Sequence, residues 1–405
     1  MTSTEKEFDI VVHGATGFTG RLVAEYLAER HPNGGNAEGI RWAMGGRNAE
    51  KLAAVRDEIG APADTPLVVT DTADPASLAA LMRRTRLVLT TVGPYQLYGS
   101  ELLAACARSG VHYVDLCGEP AWMRQMIEAH EAAARQSGAR IVFSCGFDSI
   151  PFDLGVFHLQ RAFHERFGHP ASRVRGRVRR MKGTFSGGTA ASLKATLAAA
   201  AANPQVLDWL RNPFSLTPGF EGAKQPSGSK PMVDDALGQV DGEGIWVAPF
   251  VMAAINTKNV HRSNRLLGMA WGEDFVYDEM LVTGPGERGR QVAMAVAADK
   301  SLGGEGGPKP GEGPPKEERE NGFYDLMFLG EDAEGQRLQV GVKGRRDPGY
   351  GSTSRMIAEA AVCLLRDAAT LPGGIWTPAP AMGEALLGRL QAHAGLSFAV
   401  ESPAT

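Results

Sequence analysis

The chain has 405 residues, 43% of them hydrophobic and 22% charged. At about 150 residues per domain this allows two or three globular domains and excludes a small disulfide-stapled module, a fibrous repeat and global disorder. Its 42 basic and 46 acidic residues leave a net charge of -4, so the overall field does not favour nucleic acid or an anionic membrane surface.

Residues 1–8 carry no apolar core region, so no secretory signal is expected. From Phe8 to Cys145, short apolar runs alternate with helical spacing such as Leu22, Val23, Tyr26 and Leu27. The strands predicted are Phe8–His13, Ile40–Met44, Leu67–Thr70, Leu87–Thr91, Val111–Asp115 and Ile141–Ser144. This βαβ rhythm predicts an α/β fold with a doubly wound parallel sheet, default order 3-2-1-4-5-6. After Asp148 the pattern changes to a helix ending near Phe167, a strand over Arg173–Met181, an alanine-rich helix over Thr189–Ala202 and further strands. That reads as an inserted α+β domain. Residues 301–316 hold six glycines and four prolines, the composition of a mobile surface loop. A hairpin of Phe323–Leu329 with Arg337–Lys343 and a helix over Thr353–Arg366 follow. The expected division is 1–150 for a nucleotide-binding domain, 151–345 for a substrate or dimerisation domain, and 346–405 for helices packing back on the first. The longest uncharged run, Ala368–Gly383, has 16 residues and three prolines, too short for a membrane span. Cys106, Cys117, Cys145 and Cys363 lack CxxC spacing and the nine histidines lack zinc-like pairs. Reduced thiols, no metal and a cytoplasmic location are expected, with peripheral membrane association left open.

The strongest motif is Gly14-Ala15-Thr16-Gly17-Phe18-Thr19-Gly20, directly after the first strand and opening a helix. Its glycines permit a tight turn and close approach of a pyrophosphate, whose charge the helix N-terminus stabilises, so the sheet is of the Rossmann type. At the end of the second strand, where an NAD site presents an acid, stand Arg47 and Asn48, with Lys51 nearby. A guanidinium there pairs with a 2′-phosphate, favouring NADP(H); the bland alternative is a solvated loop arginine. Asp71, after the third strand, and Gly93-Pro94, after the fourth, complete the expected cofactor contacts.

The same sheet edge carries Tyr95 and Tyr98, each able to offer a phenol to a substrate oxygen or to pack over the cofactor. Asp115, Glu119 and Asp148 are candidates for accepting a proton, orienting a ring or capping a helix, Asp148 with Pro151 resembling a helix start. Cys117 and Cys145 read as small core residues. Ser186, Gly187, Gly188 and Thr189, before the alanine-rich helix, are the substrate-binding candidates, or an ordinary capped turn. Arg173, Arg175, Arg177 and Arg179 alternate, so a strand puts all four on one face. Such a face would steer an acidic carrier domain or lie salt-bridged within the fold.

Together GATGFTG, GPYQLYG, GVHYVDLCGE, CGFDSIPFDLG and FSGGT resemble the saccharopine dehydrogenase-like oxidoreductases, and most of all their trans-acting enoyl reductase branch. DPGYGSTSRMIAEAAVCLL and GGIWTPAPAMGEALLGRL extend the resemblance nearly to the end. It implies a Rossmann domain around an inserted α+β domain, NADP(H), and reduction of an activated C=C bond in a lipid or polyketide thioester, delivered by an acyl carrier domain or free, with a homodimer left open. Tyr95, Tyr98 and Asp148 are the catalytic candidates. The alternatives are C–N oxidoreduction of an amino-acid adduct, favoured if an arginine pair faces the nicotinamide, and a lipid-associated NADP(H) binder without turnover.

Overall fold

The computed structural model describes residues 6–32, 39–183, 187–299 and 312–401. The first part alternates strand and helix: β1 (Phe8–His13), α1 (Phe18–Arg30), β2 (Trp42–Gly46), α2 (Ala49–Glu58), β3 (Leu67–Val69), α3 (Pro75–Arg84), β4 (Thr85–Thr90), α4 (Tyr95–Tyr98), α5 (Ser100–Ser109), β5 (His112–Val114), α6 (Pro120–Ser137) and β6 (Arg140–Val142). The second part runs through α7 (Ile150–Phe167), β7 (Arg173–Lys182), α8 (Gly187–Ala202), α9 (Pro204–Arg211), β8 (Met232–Val233), β9 (Gln239–Val240), β10 (Glu243–Pro249), α10 (Ala253–Leu266), β11 (Val276–Pro285) and α11 (Gly286–Ala298). After it come α12 (Lys316–Glu320), β12 (Phe323–Glu331), β13 (Arg337–Gly344), α13 (Thr353–Arg366), β14 (Gly374–Trp376), α14 (Pro378–Arg389) and β15 (Leu396–Glu401). Among the described residues, no helix is long and apolar enough to cross a membrane.

The first sheet is parallel throughout, in the order β14-β6-β5-β4-β1-β2-β3. It contains the expected 3-2-1-4-5-6 order with a seventh strand, β14, added beside β6. All six residues of β1 are buried, because helices cover both faces of a parallel sheet and select a continuous apolar run over alternation. On one face α13 packs against α1, β4 and β5, and Tyr26 of α1 donates its hydroxyl to the fully buried Glu359 of α13 at 2.7 Å.

The second sheet is mixed, in the order β15-β13-β12-β7-β11-β10-β8, with β9 beside β10. Its core forms against α7 and α10. Asp153 of α7, fully buried, accepts the Ser263 hydroxyl of α10 at 2.5 Å and the Ala379 amide of α14 at 2.8 Å, so one carboxylate joins three helices. The C-terminal segment is divided between the layers: α13 and β14 complete the first, whereas β15 pairs with β13 in the second. The glycine- and proline-rich stretch 301–316 lies, up to residue 311, outside the described residues.

The alternating arginines do share β7, but they are not a free docking face. Arg175 meets Glu331 at 2.7 Å, and Arg179 meets Asp325 at 2.6 Å and Glu401 at 2.7 Å. Arg177, only 3% exposed, is held by Asp234 at 2.6 Å and Asp278 at 2.8 Å. Neighbouring strands and the β8 segment supply acids opposite each guanidinium, which favours the salt-bridged reading of these arginines over carrier docking.

Candidate functional site

A cleft of about 950 Å³ opens at the carboxyl ends of the parallel strands, between the first sheet and the α8–α10 side of the second layer. One end of it is the turn after β1. Gly14 has φ of +90°, and a Cβ there would come within 2.6 Å of Val92. A Cβ on Gly20 would collide with the Gly14 carbonyl, so this third glycine lets α1 pack against the turn without itself lining the cleft. Gly17 caps α1 without any side-chain hydrogen bond, and the first helical turn holds no acid. The amides there are left for an anion. Thr16, Gly17, Phe18 and Thr19 all line this end.

Arg47 is exposed and lines the same end, with Asp71 across from it. Asn48 and Lys51 do not reach the cleft wall: the Asn48 side chain accepts the Lys51 amide at 2.8 Å and so serves as the N-cap of α2. Sequence reasoning missed His13 and Tyr350. His13, 4% exposed, has an Nδ1 with no hydrogen-bond partner among the described residues, and burial assisted by the Arg47 charge pushes its pKa down to about 4, keeping the ring neutral. The Tyr350 hydroxyl is buried and equally unpartnered, its ring edge-on to Phe18 at 4.7 Å. Buried polar atoms without partners are rare, and two in the wall of one cleft, beside a glycine cradle, fit a dinucleotide.

At the other end the structure separates the two tyrosines. Tyr95 is 4% exposed, donates to the Thr90 carbonyl at 3.2 Å and accepts the Leu116 amide at 3.0 Å. Its ring packs on Trp122 at 5.5 Å, and burial pushes its pKa well above the ordinary phenol value. A hydroxyl saturated by backbone groups is a strut, so the expectation of Tyr95 as a proton donor is withdrawn. Tyr98, by contrast, is 56% exposed at the cleft wall. Gly93 lines the cleft between β4 and α4, and Pro94 is the N-cap of α4.

Asp148 lies half-buried in the cleft. It does not cap α7: Ser149 occupies the cap position, without a side-chain cap bond. Among the described residues nothing hydrogen-bonds the Asp148 carboxyl, and burial alone pushes its pKa up to about 7. Asp115 and Glu119 are structural instead. Asp115 is fully buried and accepts the amides of Cys117 and Ser144 and the Tyr113 hydroxyl. Glu119 accepts the amides of Tyr95 and Gln96 at 2.8 and 3.0 Å, capping α4. Cys117 and Cys145 are fully buried, and burial raises both thiols far above the reactive range.

Gly188 and Thr189 line the cleft, as do Ser192, Leu193, Thr196 and Leu197 further along α8; Gly187 begins the helix and Ser186 lies outside the described residues. No residue of α8 whose burial is described is fully buried, so this apolar helix rests on the cleft and not in a core. Val251, Met252, Ala254 and Ile255, at the start of α10, form the facing wall. Nothing in their local sequence marked them, because their role comes from tertiary position.

Comparison with known proteins gives the family. The sequence profile described as the saccharopine dehydrogenase NADP binding domain matches residues 10–142. A Mycobacterium tuberculosis protein, provisionally named a trans-acting enoyl reductase, is 39% identical over 426 residues, covering 98% of each chain. The trans-acting enoyl reductase of Mycobacterium ulcerans is 36% identical over 418 residues, covering 96% of this chain and 97% of its own. Among solved structures, saccharopine dehydrogenase (L-Glu forming) from Saccharomyces cerevisiae superposes with a TM-score of 0.54 at 11% identity, covering 98% of this chain and 100% of that one. Homospermidine synthase from Legionella pneumophila gives 0.52 at 9% identity, covering 98% and 93%. These two likenesses speak for the fold.

Proposed function

Since the chain belongs to the saccharopine dehydrogenase-like oxidoreductases, on the trans-acting enoyl reductase branch, we propose that this NADP(H)-binding enzyme reduces the activated double bond of an enoyl thioester from lipid or polyketide synthesis. The observation that carries the reading is Asp148, an acid without a hydrogen-bond partner among the described residues and with a pKa near 7, in a cleft whose far walls are apolar at Leu193, Leu197, Val251 and Ile255.

When bound, NADPH supplies a hydride to the β carbon. Asp148, in its neutral form, gives its proton to the α carbon, so that C=C becomes CH–CH and the carboxylate recovers a proton from water in the open cleft. The Tyr98 hydroxyl hydrogen-bonds the thioester oxygen as negative charge gathers there. The turn from Gly14 to Gly17 and the first amides of α1 would hold the pyrophosphate, with Arg47 available to a 2′-phosphate and Asp71 to the adenosine ribose. Thr189 would offer a hydroxyl to the thioester, and the acyl chain would run along the apolar side of α8 at Leu193 and Leu197.

The arginine distribution weighs against the amino-acid reading. Among the described residues the one arginine in the cleft wall is Arg47, at the nucleotide end, which leaves no arginine pair to hold a carboxylate beside the reacting carbon. The deciding measurement is NADPH consumption by the purified protein with a panel of enoyl thioesters, aldehydes, and keto acids plus amines. Turnover with the enoyl thioesters and a saturated product by mass spectrometry is expected. Turnover confined to the keto acid and amine mixtures would overturn the reading, and none at all would favour a binding protein.

A further inference from the structure

Away from the cleft, the turn between β12 and β13 meets the connection from α7 to β7. There His169, Asp332 and Glu334 bring one imidazole nitrogen and two carboxylate oxygens within 4.8 Å of one another. We propose that these three side chains form a binding site for a borderline divalent cation of the zinc class, which clamps the hairpin turn to the start of β7.

Two further observations point to a ligand. Asp332 is 8% exposed, and among the described residues its Oδ2 has no hydrogen-bond donor, only His169 Nε2 at 3.7 Å, although Oδ1 accepts the Gln336 amide at 2.8 Å. Secondly, His169 Nδ1 lies 3.2 Å from the Pro170 carbonyl. In the tautomer that donates to that carbonyl, the ring proton is on Nδ1 and the Nε2 lone pair faces Asp332 Oδ2, 3.7 Å away. Two acceptors then face each other, which a cation between them resolves. A ligating histidine ordinarily has its second nitrogen fixed by a backbone carbonyl in this way. Among the described residues no lysine or arginine pairs with Asp332 or Glu334, and the neighbouring Glu331 is already taken by Arg175 and Arg337. One nitrogen and two oxygens suit zinc or manganese better than calcium, which prefers an all-oxygen shell. The sites left open by three protein ligands are filled by water.

The test is calorimetric titration of the full chain with Zn2+, with Ca2+ as control, followed by thermal melting with and without the metal. Asp332→Asn retains the oxygen that caps the Gln336 amide, and Glu334→Gln alters an exposed side chain, so both variants should fold. Wild type is expected to bind one more Zn2+ than a variant carrying both changes plus His169→Gln, and each single change should weaken that site by about tenfold or more, as loss of a direct ligand exceeds loss of an outer partner. Equal zinc uptake and equal melting by wild type and triple variant would overturn the proposal. So would 15N shifts showing both His169 nitrogens protonated at neutral pH and unmoved by zinc, since the pair would then be a simple ion pair.

Discussion

Ser192 of α8 donates its hydroxyl to Glu119 Oε1 at 2.7 Å, and the same buried carboxylate caps the helix that carries Tyr98. One side chain of the nucleotide-binding layer thus holds both the start of α4 and the cleft-lining helix α8. Glu119→Gln is isosteric but replaces one acceptor oxygen by a donor facing N–H groups. Loss of about 1–3 kcal/mol in chemical denaturation is expected, together with a higher KM for substrate. An unchanged KM would show that α8 is held in place without this contact.

Arg47 should govern the choice of cofactor. Arg47→Ala is expected to weaken NADPH by about 1.5–3 kcal/mol, the worth of a charge-assisted pair, and NADH hardly at all. Equal affinity of wild type for both cofactors, measured by fluorescence titration, would remove the basis of the assignment.

Tyr95 and Tyr98 should behave oppositely. Tyr95→Phe leaves the Leu116 amide and the Thr90 carbonyl short of a partner, so it should lose about 1–3 kcal/mol of stability with the chemical step little changed. Tyr98→Phe should melt like wild type and lower kcat. Single-turnover kinetics beside thermal melts separate the two effects.

Asp148→Asn should reduce kcat by about 10²–10⁴-fold, the usual span for a general acid. Because the acid works protonated and its pKa is about 7, wild-type kcat should be level at lower pH and fall above about 7, while residual turnover of the variant lacks that step. The same shift acts on stability. The folded pKa lies above the unfolded value of about 3.9, so the contribution is complete below about pH 4 and is lost as pH rises through 7. Denaturant midpoints of the two proteins should converge at low pH and separate as the pH rises.

Arg177→Ala leaves Asp234 and Asp278 as buried charges without their partner and should cost about 3–5 kcal/mol. Charge reversal at Arg175 should reduce stability and slow free and carrier-bound thioesters equally. Selective slowing of the carrier-bound form would revive the docking idea.

Much of the first layer was legible because each strand of a parallel sheet is a short apolar run followed by helical spacing, and the glycine motif falls where β1 meets α1. The alternation of β7 was equally plain, but its acidic partners at Asp234, Asp278, Asp325, Glu331 and Glu401 arrive from other elements, and sequence shows no charge balance across such distances. Tyr95 and Tyr98 sit three positions apart on one short helix, and only the packing of Trp122 and the Leu116 amide decides which is buried. Asp148 read as a cap because Pro151 follows it. The chain turns one residue later, freeing the acid for the cleft. Nor could sequence foresee that α10, with Asn256, Lys258, Asn259, His261 and Arg262 on it, is buried; its polar groups are satisfied in part by distant carbonyls, such as Leu216 and Ile375 for Arg262.

Each of the two sheets is finished on one side by a strand that comes late: β14 beside β6, and β15 beside β13. While the chain is being made, β6 waits through the whole inserted layer before its neighbour exists, its backbone donors and acceptors open to any extended segment nearby. A ribosome-bound chain shorter than residue 376 therefore carries an unguarded border on its nucleotide-binding layer. Only when Gly374–Trp376 has been added does β6 gain its second neighbour, so the nucleotide-binding layer is completed from the far end of the sequence.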